Sequence, residues 1–324
     1  MAIAFLLLAA TLALSGLFLG GDDADTDPDP DYGTPTEGDD VLYGTDGNDS
    51  IDGLGGNDTI LGGAGEDTLS GSRGDDEITG QGVLNGGAGA DTITAEDTSV
   101  VSGGAGRDTI WLYAFRNEVD AGDGNDTVHS SEGEDTIHGG AGNDELYTGY
   151  NQASELFGDD GDDILISSGI SSGNVLHGGD GDDQFTVSGS DTVFGDAGND
   201  TIWIGRLAND NTPARVWVDG GDGEDVIVSN GGDTLTGGAD ADQFELDVLH
   251  EGPDGPDYIA STITDYTTGE DTIVIPWDDG PLPEVTTAFN DDGSALQILL
   301  DGTVVAELTG VTSFDPDTLV FERA

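Results

Sequence analysis

Between residues 40 and 245 a single large apolar residue returns most often every nine positions, with polar or small residues on either side of it. "TIL" (59–61), "TIT" (92–94), "TVH" (127–129) and "ELY" (145–147) are typical. Alternation over three residues predicts a short strand with one side chain turned inward and two turned outward. The stretches between these triplets are rich in glycine and aspartate, which are turn residues. A short element repeated at a nearly fixed period predicts a stacked array rather than a globular core.

The turns carry a pattern of their own. "GGAGEDTLS" (62–70), "GGAGADTIT" (86–94) and "GGAGNDELY" (139–147) share the form G-G-x-G-x-D-x-U-x, where U is the apolar residue. Every second interval keeps the sixth-position aspartate: Asp40, Asp58, Asp76, Asp91, Asp108, Asp126, Asp144, Asp163, Asp183, Asp200, Asp225 and Asp242. The intervals between them keep it only at Asp49, Asp67 and Asp135, yet still keep the apolar residue, as Val119 does in "LYAFRNEVD" (112–120). A flattened coil of about eighteen residues, turn–strand–turn–strand, accounts for both facts. One set of turns stacks along a near edge and the other along a far edge. The apolar residues of both strands point inward. The far edge absorbs drift and insertions such as 204–219, because lengthening a loop on one face of a stack costs little.

The nonapeptide resembles the hemolysin-type calcium-binding repeat of the RTX family, over about residues 38–245. The resemblance implies an all-β fold: a parallel β-roll, a β-helix-like solenoid, with Ca2+ held between its turns.

Composition leads the same way. The chain has 68 acidic residues against 6 basic ones, a formal net charge of -62, 55 glycines and no cysteine. Such a polyanion repels nucleic acid, and the missing thiols exclude disulfides and thiolate metal sites. Stacked turns about 4.8 Å apart would bring aspartates together in mutual repulsion unless a cation lay between them. Position five varies among Asn, Glu, Asp, Ala and Arg, whereas position six is Asp in all fifteen copies. Asparagine forms turns equally well, so this selectivity demands charge. Calcium takes six to eight oxygen ligands from carboxylates and backbone carbonyls, and glycine turns can supply the carbonyls. The expected metal ligands are the twelve near-edge aspartates together with Asp49 and Asp67. Eleven near-edge pairs and one far-edge pair give about 11–12 ions. Asp240 replaces the fourth-position glycine before Asp242 and weakens the case for that copy. Asp135 is expected to lack a stacked partner. The apolar residues alone bury too little to order so long a chain, which predicts folding coupled to calcium.

The ends differ from the middle. Residues 2–19 are apolar and uncharged, so segment 1–20 fits either a secretory signal or a membrane anchor that would tether the chain. Residues 21–37 read as an acidic Pro/Gly linker. In 246–324 "VTTAF", "ALQILL" and "VVAEL" are separated by turn signals and predict an antiparallel β cap on the last coil. "ITDYTTGEDTIVI" (263–275) resembles the segment after the last repeat in RTX proteins. There the resemblance implies type I secretion, with secretion machinery as a partner. "GISSG" (169–173) has the spacing of a nucleophile elbow around Ser171 but sits in a far-edge insertion, without the strand–turn–helix context a hydrolase needs. No H-E-x-x-H occurs. Tyr43, Trp111, Tyr147 and Trp203 share the outward ninth position and form a candidate stripe for a surface partner or glycan. The sequence therefore predicts a non-enzymatic, exported calcium-binding roll that acts outside the cell or at its surface. An adhesin-like role is the alternative.

Overall fold

A computed structural model of the chain describes residues 33–149, 153–167, 173–205, 215–248, 259–277 and 280–323. The apolar segment 2–19, most of the acidic linker, Ser171 and the middle of the 204–219 insertion lie outside the described residues.

The triplets form strands that stack in parallel, each in register with the strand one coil later. In the first sheet the inward residues run Leu42, Ile60, Ile78, Ile93, Ile110, Val128, Leu146, Leu165, Phe185, Ile202, Ile227, Phe244 and Ile273. In the second they run Ile51, Leu69, Leu84, Val101, Val119, Ile137, Leu156, Leu176, Val193, Val218, Leu235 and Ile263. The two columns face each other and make the core. All are buried except Ile51, which is half-buried in the first coil. The fold is the expected all-β parallel β-roll.

A third buried column lies at the corner where the chain leaves the first sheet: Ala95, Leu112, Ser130, Thr148, Ser167, Val187, Ile204, Ser229 and Leu246. Spacing alone does not mark it, because its members alternate between apolar and hydroxyl residues. One coil has almost no far-edge turn. The strand Glu77–Ala88 runs through both sheets. Gly82, at φ +104, passes against the backbone of Asp67 where a β-carbon would collide, so this shortcut requires glycine.

The ladder continues past residue 245. Ser261–Ile263 and Thr272–Trp277 add another coil in parallel. Val285–Phe289, Ala295–Leu300 and Thr303–Thr309 then form the expected antiparallel cap. The cap also rejoins the roll. Leu308 pairs in parallel beside Ile263, and Phe321 beside Ile275. The last coil would otherwise present a row of unpaired amides and carbonyls on each sheet, and the cap lays one strand over each row.

Candidate metal centre

The near-edge turn 139–144 shows how the repeat works. Gly140 (φ +103) and Gly142 (φ +131) take the left-handed conformation that bends the chain back on itself. The bend turns Asp144 inward, where it is 1% exposed. Asp144 Oδ1 accepts the backbone N–H of Asp126 at 2.7 Å, and the Asp144 N–H goes in turn to Asp163 Oδ1 at 2.7 Å. The same bond links each successive pair from Asp40 to Asp271, at 2.7–3.1 Å. The column is therefore one chain of carboxylate-to-amide bonds across the coils.

The second oxygen is different. Oδ2 of Asp58, Asp76, Asp91, Asp108, Asp126, Asp144, Asp163, Asp183, Asp200 and Asp225 is buried and has no hydrogen-bond partner; Asp67 on the far edge shares this property. A β-carbon on the first glycine of the turn would collide both with this oxygen and with the first-position carbonyl of the next coil. Gly158, facing Asp163 Oδ2 and the Gly178 carbonyl, is one case; Gly139, Gly178, Gly195 and Gly220 repeat it. Carboxylate and carbonyl oxygens thus converge on a point that glycine leaves open in these turns.

Burial pushes these carboxyls up. Desolvation is the largest cause, opposed by the amide hydrogen bond and reinforced by neighbouring aspartates. Asp91 and Asp144 rise to about 6, Asp108, Asp183, Asp225 and Asp242 to about 7, and Asp163 and Asp200 to about 8. Asp58, Asp76 and Asp126 also rise. Among the described residues no group of three or more His, Asp or Glu side chains converges on a point. The donors available are carboxylate and carbonyl oxygen, the set that suits a hard cation such as calcium and not a soft one.

The family profile described as the RTX calcium-binding nonapeptide repeat matches at residues 35–69, 62–82, 83–110, 120–149, 171–187 and 185–203. The chain carries RTX calcium-binding repeats. Their metal is Ca2+, bound as multiple ions. Solved structures similar to this chain include a hyperactive, Ca2+-dependent, β-helical antifreeze protein from an Antarctic bacterium, at 17% identity and a TM-score of 0.46, covering 76% of this chain and 87% of that one. The AlgE6R3 subunit of the Azotobacter vinelandii mannuronan C5-epimerase is similar at 23% identity and a TM-score of 0.26, covering 45% of this chain and 76% of the other. The extracellular lipase LipA from Serratia marcescens is similar at 14% identity and a TM-score of 0.20, covering 66% of this chain and 45% of the lipase. No curated protein matches the chain.

The predicted ligands fall into three settings. Asp58 through Asp225 on the near edge, with Asp67, have the open oxygen just described. Asp242 joins the same ladder, accepting from Asp225 N at 3.0 Å, and Asp240 takes the glycine conformation itself at φ 73. Asp40 and Asp49, in the first coil, have Oδ2 already occupied. Thr36 reaches Asp40 through its N–H at 2.6 Å and its hydroxyl at 2.9 Å; Thr45 reaches Asp49 at 2.5 and 2.9 Å. Asp49 and Asp67 do stack, with Asp49 N donating to Asp67 Oδ1 at 3.0 Å.

Several sixth-position residues escaped the sequence pattern. Asp271 continues the near column and is closed by Thr267 N at 2.6 Å. Asp191 and Asp233 occupy the far edge, contrary to the expectation that only Asp49, Asp67 and Asp135 do so. Their "DTV" and "DTL" triplets carried the signal, but the glycines before them are missing or displaced. Asp135 is not isolated: it lies between Asn117 and Ser154.

The outward aromatics also differ from expectation. His129 stacks between Trp111 and Tyr147, at 4.1 and 4.6 Å between ring centroids. Tyr43 and Trp203 stand apart, in register with Leu61 and with Thr186 and Val228. A second row, His138, Phe157, His177 and Phe194, stacks on the other sheet. The ring faces are turned on one another, so a sugar ring approaching from solvent would meet their edges.

Proposed function

We propose that this chain is an exported, non-catalytic calcium-binding roll that folds as Ca2+ fills its near edge and then serves as a rigid extracellular or cell-surface element. The observation that carries this reading is the column of buried aspartate oxygens without a donor, those of Asp58, Asp91, Asp108, Asp144, Asp163, Asp183, Asp200 and Asp225 converging with a backbone carbonyl of the next coil. When bound, Ca2+ supplies the positive charge that these oxygens lack. Asp58, Asp76, Asp91, Asp108, Asp126, Asp144, Asp163, Asp183, Asp200 and Asp225 hold the near-edge ions through their open oxygens and Asp67 holds one on the far edge, while Asp40, Asp49 and Asp242 border these sites in the stacked turns. One ion for each open oxygen gives about eleven.

The carbonyls belong to the next coil, so each site is complete only when two coils are stacked. Binding therefore closes the coil, and the affinity for calcium becomes folding free energy. The uncoupled alternative is unfavourable, because without an ion the column keeps buried, unpaired carboxylates whose second oxygen has no donor. A requirement for abundant calcium favours function outside the cell. The carboxylates of the column are committed to bonds between coils, which supports a structural rather than a catalytic use.

Far-UV circular dichroism of the full chain tests the reading. β signal is expected to collapse in chelator and return with Ca2+, and calorimetric titration is expected to count about eleven ions. A β spectrum unchanged by thorough removal of metal overturns it.

A further inference from the structure

From Asp135 onward the far edge stacks the same kind of turn without a glycine at the first position. Asp135, Asp191 and Asp233 are buried to 1–2% exposure, as deeply as the near-edge aspartates. None of them has an open oxygen. Asp135 Oδ1 accepts from the N–H of Asn117 at 2.7 Å and from its Nδ2 at 3.0 Å, while Oδ2 accepts from Ser130 Oγ at 2.7 Å. Asp233 accepts from Val216 N at 3.0 Å and from Ser229 Oγ at 2.6 Å. Asp191 accepts from Asn174 N at 2.8 Å and from Ser167 Oγ. Asp144, by contrast, has a single donor, Asp126 N.

The three serines belong to the buried corner column, at the place where a near-edge turn has its first glycine. Glycine offers no side chain there and leaves the carboxylate to an outside cation. Serine puts a hydroxyl on the same oxygen, in its own turn at Ser130 and Ser229 and on the following coil's Asp191 at Ser167. The ladder then runs through neutral members as well: Ser99 N donates to Asn117 Oδ1 at 2.9 Å, Ser154 N to Asn174 Oδ1 at 2.9 Å, and Asp135 N to Ser154 Oγ at 3.2 Å.

We propose that Ser130, Ser167 and Ser229 take the place of calcium at Asp135, Asp191 and Asp233, so that these described far-edge turns form a metal-free seam closed by hydroxyl-to-carboxylate bonds. The inference rests on the calcium reading of the near edge and narrows where the ions sit. It assigns Asp135, Asp191 and Asp233 to structure and not to metal.

The test uses the full chain in saturating Ca2+, with bound ions counted by equilibrium dialysis and stability read from urea unfolding. Asp144→Asn is expected to lose about one ion, and Asp135→Asn none. Ser130→Ala is expected to keep the ion count, or to gain one at the exposed carboxylate. It should also lower the folding equilibrium constant by roughly 5- to 100-fold, the cost of an unpaired buried acceptor. Adding Asp135→Asn to Ser130→Ala removes the stranded charge and should restore most of that loss, including folding if the single variant fails to fold. Loss of an ion from Asp135→Asn, or a Ser130→Ala protein as stable as the parent, overturns the inference. If neither Asp144→Asn nor Asp135→Asn changes the count while Ser130→Ala still destabilises, the calcium assignment fails and the serine seam stands.

Discussion

The two edges of the roll solve one problem in opposite ways. Both bury a column of aspartates so that each carboxylate can accept the amide of the preceding coil. On the near edge the turn is made of glycine, which frees the backbone but contributes no donor, so the second oxygen of Asp144 or Asp163 stays bare. On the far edge Ser130 or Ser229 fills that need from within the chain. A turn that must satisfy itself needs a side chain at its first position. A turn that is to be satisfied by an ion needs that position empty. The difference makes the near edge, with Asp67 at the start of the far edge, responsive to calcium and the serine-closed turns of Asp135, Asp191 and Asp233 indifferent to it.

The largest expected effect is on the whole near edge. Removing calcium is expected to unfold the roll cooperatively, seen as loss of β ellipticity and of protease resistance. Hydrogen exchange would refine the comparison: during partial chelation the amides of Asp126 and Asp144 should lose protection before those of Asn117 and Asn174.

Next is the open point itself. Gly158→Ala places a methyl against Asp163 Oδ2 and the Gly178 carbonyl, so it should remove calcium from that turn and cost about 3 kcal/mol or more in thermal unfolding. A glycine-to-alanine change on the far edge, Gly173→Ala, meets nothing closer than 3.9 Å among the described residues, and should cost only about 1 kcal/mol, through its left-handed backbone (φ +63). Equal losses would erase the distinction between the edges.

Acid should act on the metal-free near edge in a definite direction. Burial raises Asp108, Asp183 and Asp225 to about 7 and Asp163 and Asp200 to about 8, against about 3.9 in an unfolded chain. Between these values the folded chain binds more protons than the unfolded one. Its stability is then fully present below about pH 4 and is lost as pH rises through about 8. Circular dichroism of the metal-free protein should show β structure increasing from pH 8 to pH 5, and calcium affinity should fall over the same range. A metal-free chain that loses structure on acidification would contradict this sign.

The smallest effect is expected at the outer rings. His129→Ala interrupts the stack of Trp111 and Tyr147 and should cost about 1 kcal/mol without altering the ion count.

The apolar triplets and the G-G-x-G-x-D turns were enough to place both sheets, the register of Leu42 on Ile60 and of Val119 on Ile137, and the aspartates of the near edge. Local spacing encodes these features, because each coil repeats the one before it. The far-edge ladder was not legible in the same way. Asn117, Ser154, Asn174 and Ser261 stand in for aspartate with different chemistry, and variable turn lengths put them out of step. What marks them is a contact with the next coil, 17 to 28 residues away. The last coil was missed for a related reason: Asp271 follows an insertion and has only one glycine before it.

Sequence periodicity was thus sufficient for the fold, the inward column and the carboxylates of the near edge, since a repeat read along the chain is the same repeat read along the stack. It could not say which buried carboxylate keeps an empty oxygen. That depends on whether a hydroxyl closes on it, from the same turn at Ser130 and Ser229 or from the preceding coil at Ser167, or a glycine leaves the space open, and the folded turn decides which.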